Sequence, residues 1–318
     1  PWLPCRWHPM LGFAHLAFTS SSSSGAGCCA GQNLSGRRSK SQGRSTVRQP
    51  SQIIAGKETA VGSRFAVAEP RTVTRTALTQ LNASQFIQRL MQLGRPEQVK
   101  KARRYLKPGS KNPADLDVSI GARMGDVFAL AKEFAEMPLD EVEVLLKSPV
   151  HEARVGAVSI MDFQARNKRT PPKRRKELFD LYTRRHDRIN TWDLVDRGAP
   201  YVVGGYLFDK PRDILYRLAK SRHMYERRTA IVATYYFIRQ DDTADTFRIA
   251  KVLVDDEDDL IHKAVGGWVR EAGKRDRDGL LKFLDRFAAT MPRTALRYAV
   301  EHLDKAQRDH YMALRKQA

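Results

Sequence analysis

Cysteine is almost absent from this chain of 318 residues, because its three cysteines, Cys5, Cys28 and Cys29, all precede Ala30. The rest of the chain therefore needs no disulfide and offers no thiolate metal site, which suits a reducing compartment. No apolar stretch approaches the roughly 18 residues that a membrane-spanning helix needs. We therefore expect no membrane partner.

Most sequence motifs of cofactor, metal and nucleophile sites are also missing. There is no Gly-rich dinucleotide or phosphate loop, no His-Glu-x-x-His and no recognisable Ser-His-Asp set. The acidic run 255–259 lacks the glycine and ligand spacing of a calcium loop, and we interpret it as the acidic start of a helix. The histidines are scattered, so we expect no metal and no cofactor; they include His151, His223, His262, His302 and His310.

Acidic residues are absent before Glu58, and this N-terminal part is rich in serine and arginine. Such a composition cannot bury enough apolar surface to fold. We therefore divide the chain into a disordered basic leader, residues 1–70, and a folded body, residues 71–318. The leader resembles an organelle transit peptide; because the chain starts with Pro1, a gene-model artefact is the alternative. Without targeting, we expect the cytoplasm, at the bacterial nucleoid.

Positive charge is abundant, with a formal net charge of +20 and a sequence pI of about 10.1. Such a charge says little about the fold but favours anionic partners, with nucleic acid first and an anionic membrane surface second.

Apolar residues recur every three or four positions through most of the body, whereas no alternating strand pattern is convincing. The spacing predicts an all-α protein. The predicted helices cover 85–93, 124–135, 139–146, 150–163, 174–182, 213–219, 225–238, 245–254, 260–272, 279–287 and 293–303.

Similar segments beginning at residues 151, 225 and 261 indicate a repeat of about 37 residues, typical of stacked helix pairs. We predict a HEAT-like solenoid, a curved stack of antiparallel helix pairs. Basic residues near the helix starts would line its concave face and follow a phosphate backbone; a solvated charged face is the alternative.

The segment 192–197 is the best candidate for chemistry. On a helix, Trp192 and Asp196 lie four residues apart on one face, with Asp193 close by. An indole face attracts a cation, and a carboxylate can stabilise a developing positive sugar. The pattern favours a site for a positively charged lesion on DNA. The alternative is that Trp192 packs in the core and Asp196 only pairs with an arginine such as Arg228.

Five segments in this order and spacing resemble the AlkD-like DNA alkylation repair family, HEAT-like DNA glycosylases that excise N3- and N7-alkylated purines. The resemblance covers roughly residues 85–315. The segments are Leu-Leu-Lys-Ser-Pro-Val-His-Glu-Ala-Arg at 145–154, Trp-Asp-Leu-Val-Asp at 192–196, Tyr-Glu-Arg-Arg-Thr-Ala-Ile at 225–231, Ile-His-Lys-Ala-Val-Gly at 261–266 and Met-Pro-Arg-Thr-Ala-Leu-Arg-Tyr at 291–298.

The resemblance implies a catalytic group of Asp196 as carboxylate, Trp192 against the lesion nucleotide and Arg228 on the DNA backbone. The family's second tryptophan falls at Gly267, and Trp268 follows one residue later, a rotation of about 100° that only a local helix slip would undo. Together with the charged helix starts, the expected DNA-contacting residues are Arg154, Asp193, Tyr225, Arg227, Lys263, Trp268, Arg270 and Arg293.

These observations predict a monomeric DNA glycosylase that acts on cationic alkylated purines in double-stranded DNA, in an open groove without a deep cavity. The second function class is a HEAT-like scaffold that binds DNA or protein and has lost catalysis. The offset of Trp268 favours the second class.

Overall fold

A computed structural model of the chain describes residues 81–103 and 118–314, and within these residues the fold is all-α, as predicted. One isolated parallel bridge joins Val118 and Val150. The predicted leader and its boundary with the body lie outside the described residues. None of the described helices combines the length and the apolar character needed to cross a membrane.

The helices match the predicted spans closely over most of the body. In chain order they are α1 (Ala83–Gln92), α2 (Pro96–Arg103), α3 (Met124–Glu133), α4 (Leu139–Leu146), α5 (His151–Arg166), α6 (Pro172–Arg184), α7 (Trp192–Gly198), α8 (Gly205–Leu207), α9 (Asp213–Ala219), α10 (Met224–Ile238), α11 (Ala244–Leu253), α12 (Asp259–Gly273), α13 (Arg277–Phe287), α14 (Arg293–Ala299) and α15 (Lys305–Ala313).

The predicted helix 293–303 was wrong at its end. Helix α14 stops at Ala299, and a separate helix, α15, follows. The Asp304 side chain accepts a hydrogen bond from the Gln307 backbone N–H and so caps the start of α15, as short acidic side chains do at helix N-termini. The apolar spacing continued through residues 300–303 because Val300 and Leu303 are buried, but these residues form the turn that separates α14 from this cap.

Two sets of helices pack against each other in the order of the chain. Helices α5, α7, α10, α12 and α14 form a row in which each contacts the next. A second set of helices flanks that row, and each of them packs against a row helix that is its neighbour in the sequence. This set consists of α4, α6, α9, α11 and α13. This alternation is what stacked helix pairs produce.

The row is drawn together at two glycines. A Cβ at Gly204 would overlap the carbonyl oxygen of Ala233 on α10, and one at Gly266 would overlap that of Ala295 on α14. Gly204 ends a π-helical segment, Ala199–Gly204, that continues α7 into α8. Because glycine lets the two backbones approach, the π-helical segment that follows α7 is held directly against α10, and α7 itself also packs on α10.

Candidate functional site

Helix α7 carries three of the predicted site residues. Trp192 is its first residue, Asp193 lies in its first turn and Asp196 follows one turn after Trp192. All three side chains are partly exposed. The predicted placement of this segment on a helix is therefore confirmed. Of the alternative interpretation, the fully buried Trp192 is not what the structure shows, whereas the pairing of Asp196 with Arg228 is present.

Asp196 forms a bidentate ion pair with Arg228 of α10. The Arg228 Nε and Nη2 atoms donate to the two carboxylate oxygens at 2.9 and 2.8 Å. The remaining Nη1 atom donates to the backbone oxygen of Leu260 at 2.6 Å. The Arg228 side chain is only 1% exposed and that of Asp196 is 19% exposed, so the guanidinium is buried and the acid is mostly buried but still accessible to solvent.

Burial and charge act in opposite directions on Asp196. Burial raises the pKa of its carboxyl group above the ordinary value, and the Arg228 guanidinium opposes that rise. The nearby Asp193 carboxylate adds to the rise, since two like charges disfavour each other. The two parallel hydrogen bonds from Arg228 fit the ionised carboxylate and fix its orientation.

Asp193 is bound differently, to the imidazole of His151 at the start of α5. His151 Nε2 lies 2.7 Å from one carboxylate oxygen, and the other oxygen accepts hydrogen bonds from the Thr191 hydroxyl at 2.6 Å and the Leu194 backbone N–H at 3.1 Å. Burial alone would raise the pKa of Asp193, but the charge and hydrogen bond of His151 and the other donors lower it to about 2.

The same interaction shifts the pKa of His151 in the opposite direction. Burial alone would lower the pKa of its imidazole, but the Asp193 carboxylate raises it above the ordinary value. The side chain of His151 is 6% exposed. Sequence reasoning quoted His151 within a motif but assigned it no role, because residues 151 and 193 are 42 positions apart and only the fold brings them together.

Arg154 lies under this pair and not at the surface. It is fully buried, and its guanidinium donates to the backbone oxygen of Ser148 and to the Asn190 side chain, both at 3.3 Å. The expected contact of Arg154 with DNA phosphate therefore needs correction, because a buried guanidinium does not reach a phosphate. Arg228 is also buried, with a side chain that is 1% exposed, and its contact with the DNA backbone stays a prediction that this burial disfavours.

The acidic run that precedes α12 neutralises Arg227. The Arg227 guanidinium forms ion pairs with Asp256 at 2.6 Å and Asp258 at 2.7 Å. Asp259 is the first residue of α12, as the helix-start interpretation predicted, and it pairs with Lys263 at 2.6 Å. Arg227 and Lys263 are thus brought close to the start of α12, but both carry acidic partners.

The two remaining predicted cations lie farther along the row and are also bonded within the protein. Arg270 pairs with Glu301 and with Glu271. Arg293 is exposed and donates to the backbone oxygens of Met312 at 2.8 Å and Leu314 at 3.3 Å. Their contact with DNA stays a prediction, and it would compete with these internal partners.

Trp268 does not occupy the position at which the related family has its second tryptophan, and that position, Gly267, is open. Its indole lies against the Tyr235 ring of α10, with centroids 5.0 Å apart. A Cβ at Gly267 would meet no atom within 4 Å. Helix α12 is continuous from Asp259 to Gly273, so no local slip undoes the offset. Tyr225, the remaining predicted aromatic, is partly exposed and lies 5.8 Å from the His223 ring.

Comparison with known proteins agrees with this fold. Residues 86–303 match the family model described as DNA alkylation repair enzyme. A solved structure from Enterococcus faecalis, described as a predicted DNA alkylation repair enzyme, is 16% identical with a TM-score of 0.54; the match covers 67% of this chain and 97% of that one. AlkD2 from Streptococcus mutans is also 16% identical, with a TM-score of 0.39 and coverage of 70% and 100%. No curated protein matches the chain.

Proposed function

The chain belongs to the DNA alkylation repair enzyme family, and from this premise we propose that it is a DNA glycosylase. Its substrate would be duplex DNA that carries purines alkylated at N3 or N7, and its reaction the hydrolysis of their N-glycosidic bond. The single observation that carries the proposal is the shared face of α7, on which the Trp192 indole and the Asp196 carboxylate are both partly exposed.

The chemistry needs little more than that face. Alkylation at N7 or N3 makes the purine cationic and a good leaving group. As the bond breaks, the sugar acquires oxocarbenium character, which a nearby carboxylate stabilises. An indole face favours a cationic base over a neutral one by about 0.5–2 kcal/mol. Asp196 and Trp192 therefore supply the two groups that distinguish a damaged nucleotide.

Arg228 has a positioning role in this proposal. Its guanidinium holds both oxygens of Asp196 and is anchored to Leu260 on the next helix of the row. A carboxylate fixed in this way loses little conformational freedom when the substrate binds, which is how preorganised charges contribute to rate. Arg228 thus acts through Asp196 and does not itself contact the DNA.

The direct test is release of 7-methylguanine from methylated duplex DNA, followed by chromatography under single-turnover conditions. We expect release by the full chain and its loss in Asp196→Asn. Asp278→Asn is the matched control, because Asp278 is an exposed carboxylate on α13, and we expect it to behave as wild type. Absence of release by wild type, or full release by Asp196→Asn, contradicts the proposal.

One observation favours a second function, a DNA-binding scaffold with impaired catalysis. The position of the family's second tryptophan is Gly267, which is open, while Trp268 packs on Tyr235. A scaffold would bind duplex DNA with a steep salt dependence and release no base. Gly267→Trp restores an aromatic side chain at the open position. Release that appears only in this variant would support the scaffold.

A further inference from the structure

Three potential metal ligands converge on the turn between α6 and α7. His186 begins a short 3₁₀ turn, His186–Arg188. His223 is the N-cap residue of α10, and Glu226 lies in the first turn of that helix. One ring nitrogen of each histidine and a carboxylate oxygen of Glu226 all lie within 4.8 Å of one another. Three such atoms at this separation can ligate one ion.

Each of the two histidines also has one buried ring nitrogen without a hydrogen-bond partner among the described residues. The Nδ1 atoms of His186 and His223 are both buried and form no hydrogen bond with a described residue. A buried polar atom without a partner is rare and costly in a folded protein, so two such atoms in one cluster need an explanation. Among the residues that the structure describes, the Glu226 side chain accepts no hydrogen bond and forms no ion pair.

The other ring nitrogen of His186 is already held in place. Its Nε2 lies 2.9 Å from the Thr229 hydroxyl, which in turn lies 3.1 Å from the Tyr182 hydroxyl. A neutral imidazole that donates its Nε2 proton to Thr229 presents a bare Nδ1 lone pair. Metal-binding histidines almost always have such an outer partner, which fixes the tautomer and the ring orientation.

A pocket of about 270 Å³ opens beside the cluster, lined by Thr183, His186, Ile214, Arg217, Leu218 and Glu226. A tetrahedral ion with three protein ligands keeps a fourth position for water or another small ligand, and the pocket has room for it. Arg217 is the one basic side chain of this lining; it is exposed, so solvent screens its charge from the cluster.

The geometry points to a site for a divalent transition metal of the Zn²⁺ type, bound by His186, His223 and Glu226. Two imidazoles and one carboxylate form a common ligand set for Zn²⁺, whereas Mg²⁺ and Ca²⁺ prefer oxygen ligands alone. The sequence predicted no metal site, because these residues form no contiguous motif. His186 and His223 lie 37 residues apart, which equals the predicted repeat length and is the one feature of the sequence that relates them.

A metal here would join two elements of the candidate active site. The 3₁₀ turn leads into α7, which carries Asp196, and Glu226 lies two residues before Arg228 on α10. Since a metal that binds only the folded protein raises the stability of the fold, the site would tighten the junction that presents the Asp196–Arg228 pair. The site is independent of the proposed glycosylase reaction and needs no step in it.

The test is titration of the chelator-treated full chain with Zn²⁺ by calorimetry and with Co²⁺ by visible absorption. Wild type is expected to bind one ion with a tetrahedral Co²⁺ spectrum that lacks thiolate bands, which separates this site from the cysteines near the N-terminus. His223→Gln and Glu226→Gln are expected to bind that ion at least roughly 100-fold more weakly. His302→Gln, the control at an exposed histidine, is expected to bind as wild type.

A second variant tests the outer partner without touching a ligand. Thr229→Val keeps the shape of the side chain and removes the hydroxyl beside His186, and we expect a loss of affinity of roughly 10-fold to 100-fold. Circular dichroism establishes that each variant is folded. The inference is overturned if wild type binds no ion, if the only ion it binds gives thiolate bands, or if His223→Gln and Glu226→Gln retain the wild-type affinity.

Discussion

Asp193 and Asp196 lie three residues apart on α7, yet the fold gives them opposite environments. Asp193 shares a hydrogen bond with the titratable His151, and its pKa falls to about 2. Asp196 is held by the buried Arg228, and burial raises its pKa. Neighbouring carboxylates whose pKa values are separated by their surroundings commonly have different roles. We assign the chemistry to Asp196 and the positioning of the first turn of α7 to Asp193.

The charges of the two ion pairs also depend on pH in different ways. Arginine stays protonated at any pH at which a protein is folded, so the Asp196–Arg228 pair loses its charge only when the acid is protonated. Histidine titrates near neutrality, so the Asp193–His151 pair loses one of its two charges at either extreme of pH: the acid is protonated at low pH, and the imidazole is deprotonated at high pH. One half of the site is therefore expected to be insensitive to pH near neutrality, and the other half to be sensitive.

The largest expected effect comes from removing the buried cation. Arg228→Met leaves the Asp196 carboxylate and the Leu260 oxygen without their partner, and breaking a buried pair costs about 3–5 kcal/mol. Urea unfolding followed by circular dichroism measures the change in the free energy of unfolding. Arg293→Met, at an exposed arginine, is the control and is expected to cost less than about 1 kcal/mol. If both variants lost the same free energy of unfolding, the Asp196–Arg228 pair would stabilise the fold no more than an exposed arginine does.

The second effect sharpens the division of roles between the two acids. Asp196→Asn is expected to lower the single-turnover rate of 7-methylguanine release by about 10²–10³-fold, as loss of one preorganised charge does elsewhere. Asp193→Asn is expected to cause a smaller loss, because its carboxylate acts through the turn that carries Trp192. If Asp193→Asn is the more damaging change, the roles assigned to the two residues are reversed.

The third effect is the pH dependence of the Asp193–His151 pair. The depressed pKa of Asp193 contributes stability above the ordinary value of 3.8, and this is lost as pH falls towards about 2. The raised pKa of His151 contributes stability below the ordinary value of 6.5, and this is lost as pH rises through the folded value.

Wild type is therefore expected to exceed Asp193→Asn in stability most clearly between these two ordinary values, by about 2 kcal/mol. In the variant, the pKa of the His151 imidazole is expected to drop below 6.5, because burial and the Arg154 charge both lower it and outweigh the opposing charge of Glu152. Urea unfolding across pH and a titration of the histidine ring signals by NMR measure the two quantities. If the difference in the free energy of unfolding does not vary with pH, or if the pKa of His151 is the same in the variant, the Asp193–His151 pair does not act as described.

The smallest effect concerns a single hydroxyl on the Asp193 side. Thr191→Val removes the 2.6 Å hydrogen bond to the Asp193 carboxylate and keeps the shape of a buried residue. We expect a cost of about 0.5–1.5 kcal/mol and a higher pKa for Asp193, with no change in the rate of base release per folded molecule. NMR of the carboxyl carbon and urea unfolding check this; an altered release rate would show that the two halves are coupled.

Local pattern was enough for much of the helical body. The apolar spacing at 139–146 and 213–219 predicted α4 and α9 at their exact bounds, because a helix that buries one face needs that period whatever it packs against. The prediction failed at residues 300–303, and α2, α8 and α15 were not predicted at all. Helix α8 has only three residues, and α2 and α15 have too few apolar positions for the helical period to be identified.

The site was predicted in part, for a related reason. Trp192, Asp193 and Asp196 were identifiable because a helix alone sets their mutual geometry. Arg154 was not, since a charge at a helix start looks the same whether it faces solvent or is buried beneath His151. Arg227 and Lys263 were expected to line a groove, and the acidic run 256–259 now accounts for their immediate partners.

The sequence by itself determined the helical class, the one-turn spacing of the indole and the acid on α7, and the surplus of positive charge, because each depends on residues close together in the chain or on composition. Only the tertiary structure decided which charged and polar side chains contact each other. Arg228 reaches Asp196 across 32 residues, and His186 meets His223 and Glu226. Such meetings depend on the rotation and separation of packed helices, which the close approach at Gly204 sets and which no local period encodes.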